Sequence, residues 1–295
     1  MKTLQYIKRF KVEASVFAII QFITILSVLF DTNSFAVIYR YLTFEPVRTA
    51  TDMVAKENNL TTFAYLLNYS LSIGKPFDVV VIWGTFIFQL ILPFIATIGV
   101  FSFYKRHIGI NKLIYYRKQN YIRSIRKLAL NESVRISLSV FLAYLTFLVF
   151  YRLVGTNPVQ ELYSVGAMPR TLFLDWFGNS FYYDYPFLYW SLEGLVRFWL
   201  VPFIYCYCAC LLSVVVLSAK KSYLIVNLYY IVASAIFGAI SLIGLPFHLD
   251  LYLNPSVILA SGSYDLKTLP LLLGTILPIV WAEIFYYKNR RLLYD

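Results

Sequence analysis

Long apolar runs, separated by short polar stretches, dominate this chain from end to end. Crossing about 30 Å of hydrocarbon takes roughly 20 apolar residues in a helix. Six runs approach or exceed that length: Ala14–Phe30, Val79–Phe103, Ile136–Leu153, Phe187–Leu217, Tyr223–Ile243 and Leu269–Tyr287. The pattern predicts an all-α membrane protein with six transmembrane helices in one transmembrane domain over residues 1–295. Helices suit the medium because they satisfy every backbone N–H and C=O internally, which hydrocarbon cannot do for them. The fourth run is long enough to tilt or to kink at Pro202, and the sixth contains Pro270 and Pro278.

Two polar stretches carry a helical pattern of their own. Over residues 3–13, Leu4, Ile7 and Phe10 share one face while Lys2, Lys8, Arg9 and Lys11 lie largely elsewhere. That predicts an interfacial helix in the headgroup layer, its lysines near anionic lipid. The following run is long for the apolar core of a signal peptide and no small-x-small cleavage site succeeds it, so it reads as a retained span. Between the second and third runs, Ile110, Leu113, Ile114, Ile122, Ile125 and Leu128 recur among basic residues. With a break near Arg117–Asn120, this predicts a short cytoplasmic helical hairpin between helices 2 and 3.

Composition agrees with the membrane assignment, since only 14% of residues are charged against about 25% in soluble domains. Six spans and their loops leave no room for a soluble catalytic domain. The net charge of +11 raises nucleic acid as a partner, but the distribution of the charge argues against it. With the N-terminus inside, eighteen lysines and arginines fall in inner segments and seven in outer ones. Positive charge is retained on the cytoplasmic side, which places both termini in the cytoplasm of a multi-pass cell-membrane protein. The outer segments are Asp31–Asp78, Val154–Pro186 and Gly244–Thr268, the first partly helical through Val54, Phe63, Leu66 and Leu67. Asn59-Leu60-Thr61 and Asn68-Tyr69-Ser70 match a glycosylation sequon, which has meaning only in a eukaryotic secretory setting.

Few residues in the spans carry chemistry. Glu193 and Arg197 are four apart on the fourth run, so they share a face and can pair. Such residues in hydrocarbon face a bundle interior or a cavity, and the pair is either an element of a substrate path or a neutralised structural contact. Glu283, near the inner end of the last run, is expected to pair with the cations beside it, Lys288 and Arg290. Gln89 and Asn227 are candidates for hydrogen bonds between helices. Cys206, Cys208 and Cys210 project about 200° apart at each step, and without a nearby histidine they read as packing rather than a metal site. The two histidines, His107 and His248, lie in loops, and no H-E-x-x-H or paired-acid cluster occurs in a span. No catalytic residue or metal site is expected on this chain.

The order of these parts resembles the transmembrane subunit of an ABC transporter of the ABC-2 type. In that family the loop after the second span carries an acidic residue, a glycine, an aromatic–arginine stretch and a lysine. Here Gly109, Tyr115-Tyr116-Arg117, Tyr121-Ile122 and Lys127 stand in that order, while Lys105, Arg106 and His107 occupy the acidic position. The resemblance implies a permease that pairs with a second transmembrane subunit and with two cytosolic ABC ATPase subunits. It implies an ATPase-coupling loop made of Tyr104, Lys105, Arg106, Gly109, Lys112, Tyr115, Tyr116 and Arg117. ATP and magnesium would then sit on the partner, as this chain has no G-x-x-x-x-G-K-[ST] stretch. The expected cargo of such an exporter is hydrophobic or amphipathic: a peptide, a lipid-linked molecule or an antimicrobial compound. The alternative is a stand-alone channel or secondary carrier, which predicts ionisable relays or broken helices matched between two halves.

Overall fold

A computed structural model describes residues 11–106, 121–156, 180–244, 246–259 and 273–288. Among these, every regular element is helical, and the one pairing of extended backbone is an isolated bridge between Pro76 and Thr156. Four described helices are long and apolar enough to cross a membrane: Lys11–Phe30, Ser124–Val154, Pro186–Val215 and Ala219–Ile240. This is the architecture of a multi-pass membrane protein.

The helices run in chain order as α1 (Lys11–Asp31), α2 (Ser34–Thr43), α3 (Glu45–Glu57), α4 (Thr62–Ser70), α5 (Phe77–Thr97) and α6 (Tyr121–Val154). They continue as α7 (Ser180–Asp184), α8 (Pro186–Gly194), α9 (Val201–Val215), α10 (Ala219–Ile240), α11 (Leu249–Leu253) and α12 (Leu273–Lys288). A π-helical turn, Leu195–Leu200, joins α8 to α9. Its cause lies in the sequence just beyond it. Pro202 has no N–H to donate, and its ring crowds the carbonyl four residues back. The Val201 N–H reaches five residues back to Val196 O, so the turn widens around the proline and the helix is not broken.

Four of the six expected runs, the first, third, fourth and fifth, coincide with helices long and apolar enough to span, with altered ends. The first and fifth runs correspond to α1 and α10 with their ends moved by a few residues. The second is interrupted: α5 stops at Thr97, and after a turn at Ile98 the chain is helical again over residues 99–106. The third is a correction. It was expected to begin at Ile136, yet α6 is a single helix of 34 residues from Tyr121. The second half of the expected hairpin, with Ile125 and Leu128, is therefore the leading end of α6 and not a separate helix. The charges that end the apolar run do not end the helix, because backbone hydrogen bonding is indifferent to hydropathy. Residues 3–10 of the expected interfacial helix and residues 107–120 of the hairpin lie outside the described residues, and Lys11–Glu13 belong to α1. The last run is represented by α12, which at 16 residues is shorter than the four spanning helices.

At the centre of the bundle, α9 packs on α5, α6, α10 and α12, while α1 packs on α5 and α6. Being surrounded, α9 buries residues on all sides, which explains how Cys206, Cys208 and Cys210 are all inaccessible free thiols despite pointing in opposed directions. Close approach is purchased with glycine: a Cβ on Gly99 would stand 2.7 Å from Cys206 Sγ and 2.8 Å from Ile136. The outward faces of α1, α6, α10 and α12 are apolar, for example Phe22, Leu142, Leu228 and Trp281. Helix ends alternate, so that Lys11, Arg106, Arg126, Arg135 and Lys220 share one end of the bundle, the basic end. Asp31, Val154 and α2 to α4 mark the opposite end.

Candidate functional site

At the basic end, charged side chains from three segments form a continuous chain. Arg106 Nη1 lies 2.8 Å from Glu132 Oε2, and Arg135 Nη1 lies 3.4 Å from the same oxygen. Arg135 Nη2 also pairs with Glu13. Glu13 opens α1, Arg106 is the last described residue of the second hydrophobic segment, and Glu132 and Arg135 stand a turn apart on α6. Both acids are buried, a position that carboxylates tolerate only with cations beside them. Arg106, Glu132 and Arg135, with Phe103, Leu128 and Val134, line an open pocket of about 460 Å³.

Two further links close this end. Tyr104 donates its hydroxyl proton to Leu217 O, just past α9. Arg126 of α6 pairs with Glu283 of α12, whose other oxygen accepts from Tyr207 of α9 at 2.8 Å. The guanidinium of Arg126 also sits 5.8 Å from the centre of the Tyr286 ring, within cation–π range. Glu283 thus takes a cation from a distant helix; of the cations expected beside it, Arg290 lies outside the described residues and nothing is described of the Lys288 side chain.

Of the expected loop residues, Tyr104 and Arg106 are tied to the bundle and Lys105 is exposed beside them. Gly109, Lys112, Tyr115, Tyr116 and Arg117 lie outside the described residues. Glu13, Glu132 and Arg135 are the members that sequence reasoning missed. Their signal was present: each acid interrupts an otherwise basic stretch at the margin of a span. Glu132, beyond the loop, is the acidic partner of Arg106.

The second polar locus is inside the membrane-spanning region. Glu193 Oε1 and Arg197 Nη2 are 2.7 Å apart, and the residues are 1% and 2% exposed. Glu193 lies in the last turn of α8 and Arg197 in the π turn, and positions four apart stay on one face across the junction. Counting from Pro186, Glu193 sits about 10 Å along the helix axis, towards the end opposite the basic one. The helix is held there by α6. Tyr144 donates to Trp190 O at 2.8 Å and its ring lies 4.4 Å from that of Phe198. Gly194 makes room, since a Cβ there would overlap the Tyr144 ring. Around them Tyr182, Tyr189 and Trp190 stack edge to face at 5.2 and 5.5 Å.

Asn227 performs the bridging expected of it, donating to Thr97 Oγ1 across the α5–α10 contact at 2.9 Å. Nothing is described of the Gln89 side chain. Among the described residues no group of three or more His, Cys, Asp or Glu is placed to hold a metal ion. Family models, curated proteins and solved structures yield no match to this chain.

Proposed function

We propose that the chain is the transmembrane subunit of an ATP-driven exporter of the ABC-2 type, with six spans and its basic end in the cytoplasm. It works beside a second transmembrane subunit, as a homo- or heterodimer, and ATP with magnesium binds two separate cytosolic ATPases. The cargo is hydrophobic or amphipathic. The observation that carries this reading is mechanical. The stems on either side of residues 107–120 are clamped to four helices: to α6 through Arg106–Glu132, to α1 through Arg135–Glu13, and to α9 and α12 through Tyr104–Leu217 and Arg126–Glu283. A push on the loop from a cytosolic partner is delivered to most of the bundle at once. The excess of positive charge at that end supports its cytoplasmic placement.

Affinity purification from the native membrane tests the pairing. The expected result is a co-purifying ATPase that carries a phosphate-cradling glycine-rich loop, and its loss when Arg117 and Arg123 are reversed to glutamate. With the complex in sealed vesicles, Glu132→Gln is expected to keep the ATPase bound while slowing ATP-dependent transport by about 5-fold or more, the scale of ordinary coupling energies. Movement of solute by this chain alone, indifferent to nucleotide, would overturn the reading in favour of a stand-alone carrier.

A further inference from the structure

The first segment after α1 leaves a face of its own uncovered. On α2, Ser34, Val37 and Tyr41 lie on the side that meets α3 and α4. Phe35, Ile38, Tyr39 and Leu42 are exposed and fall within an arc of about 100° at helical spacing. Ala36, Arg40 and Thr43 occupy the remaining arc. An exposed apolar stripe on an ordinary soluble surface invites association, but this one is not on an ordinary surface. It begins four residues after the last turn of α1, whose outward residues Ile19, Phe22, Ile25 and Phe30 already face away from the bundle.

The junction shows how the two stripes connect. Asn33 adopts a left-handed conformation, φ 49° and ψ 30°, a region that asparagine enters more readily than most residues. The turn prevents α2 from continuing α1. Thr32 and Ser34 hydrogen-bond each other and reach Ser70 O at 3.3 and 3.4 Å, fastening the turn to the end of α4. Across it the rings of Phe30 and Phe35 stand 5.6 Å apart, so the apolar surface of the span passes without interruption onto the short helix. The far end of α2 is finished with polar cover: Arg48 donates to Tyr41 O at 3.3 Å and to Leu42 O at 2.9 Å. Those are terminal carbonyls that no helical N–H satisfies.

We infer that α2 lies in the headgroup layer of the membrane at the end opposite the basic one, with Phe35, Ile38, Tyr39 and Leu42 turned into lipid. Aromatic rings at the level of the headgroups are the usual furniture of that layer, and an amphipathic helix lying flat there buries its apolar arc while its polar arc stays wet. Continuity with the outward face of α1 selects lipid as the occupant, since the same surface is in lipid one turn earlier. The inference rests on the spanning helices alone and stands or falls separately from the exporter reading.

Single cysteines carrying a nitroxide at positions 35, 38, 40 and 42, in the full chain reconstituted into phosphatidylcholine–phosphatidylglycerol vesicles, provide the test. The three native cysteines are buried and stay unlabelled. The expected result is that labels at 35, 38 and 42 collide with dissolved oxygen more than with a water-soluble nickel chelate, at a shallow depth, while the label at 40 does the reverse. Free collision of the 38 and 42 labels with the nickel chelate would put the stripe in water and overturn the inference. Shielding of those labels from both reagents would also overturn it, because it would mean that protein covers the face.

Discussion

The Glu193–Arg197 pair allows a quantitative test of how polar groups are held in this bundle. Both residues are almost wholly inaccessible and 2.7 Å apart, so neither charge is shared with bulk water. Removing one partner of a buried ion pair costs about 3–5 kcal/mol, because the other is left in a low-dielectric interior. Replacing both by apolar or neutral residues of similar volume is often close to neutral. Glu193→Gln is therefore expected to destabilise the protein by about 3–5 kcal/mol, and Arg197→Met by less. The asymmetry has a chemical cause: a stranded carboxylate can take up a proton and lose its charge, whereas a guanidinium keeps its own. The double variant is expected to recover most of the loss, giving an interaction energy near the top of the usual range, about 2–3 kcal/mol.

The measurement is a double-mutant cycle by steric-trap unfolding in bicelles, where stability is read without heat or strong detergent. Two single variants that each stay within about 0.5 kcal/mol of the parent, and that add in the double, would refute the reasoning. That outcome would place water or another compensating group beside the pair, and the enclosed geometry described above would be wrong.

Other consequences follow from individual contacts. Gly194→Ala is expected to cost about 1–3 kcal/mol through overlap with the anchored Tyr144 ring, and less when introduced into a Tyr144→Ala background in the same unfolding assay. Asn227→Leu and Thr97→Val should couple by about 0.6 kcal/mol and by no more than about 1.7 kcal/mol, because chains unfolded within a bilayer also find polar partners. An impermeant maleimide should label a cysteine at Lys56 in intact cells, and one at Lys220 only after permeabilisation. Equal labelling of the two would contradict their placement at opposite ends of the bundle.

Four spanning helices were legible because hydrocarbon leaves helices no alternative, and a run of apolar residues is visible without knowing its neighbours. α1 and α10 start and stop close to where hydropathy changes. The reading failed where hydropathy and helix formation part company. Arg123, Arg126, Lys127, Glu132 and Arg135 break the apolar run before the third span, but α6 carries them as a continuous helix and several find partners. The π turn before Pro202 was half visible: proline forecasts a disturbance, but whether a helix kinks or widens depends also on what packs on it, here the Tyr144 ring of α6 against Phe198 of the turn. Glu193 and Arg197 could be paired from their spacing alone. The links of the basic end could not, because Glu13, Arg106, Glu132 and Glu283 come from separate segments with no shared period.

The two ends of the bundle are tied by different chemistry, and this bears on where motion can enter. Away from the basic end the ties run largely to backbone carbonyls: Tyr151 donates to Leu71 O at 2.8 Å, Gly74 N to Val154 O at 3.1 Å, and Thr156 N to Lys75 O at 3.0 Å. Such bonds have one geometry and little tolerance. At the basic end the ties are ionic, and Arg106 and Arg126 keep side-chain exposures of 40% and 41%, so solvent screens much of their attraction. Redundancy matters more than strength. Glu132 is buried and accepts from two cations, Arg106 and Arg135. If Arg106 swings away with the loop, Glu132 retains Arg135 and no carboxylate is stranded in the interior. Glu132 thus stays paired through Arg135 whatever becomes of the Arg106 contact.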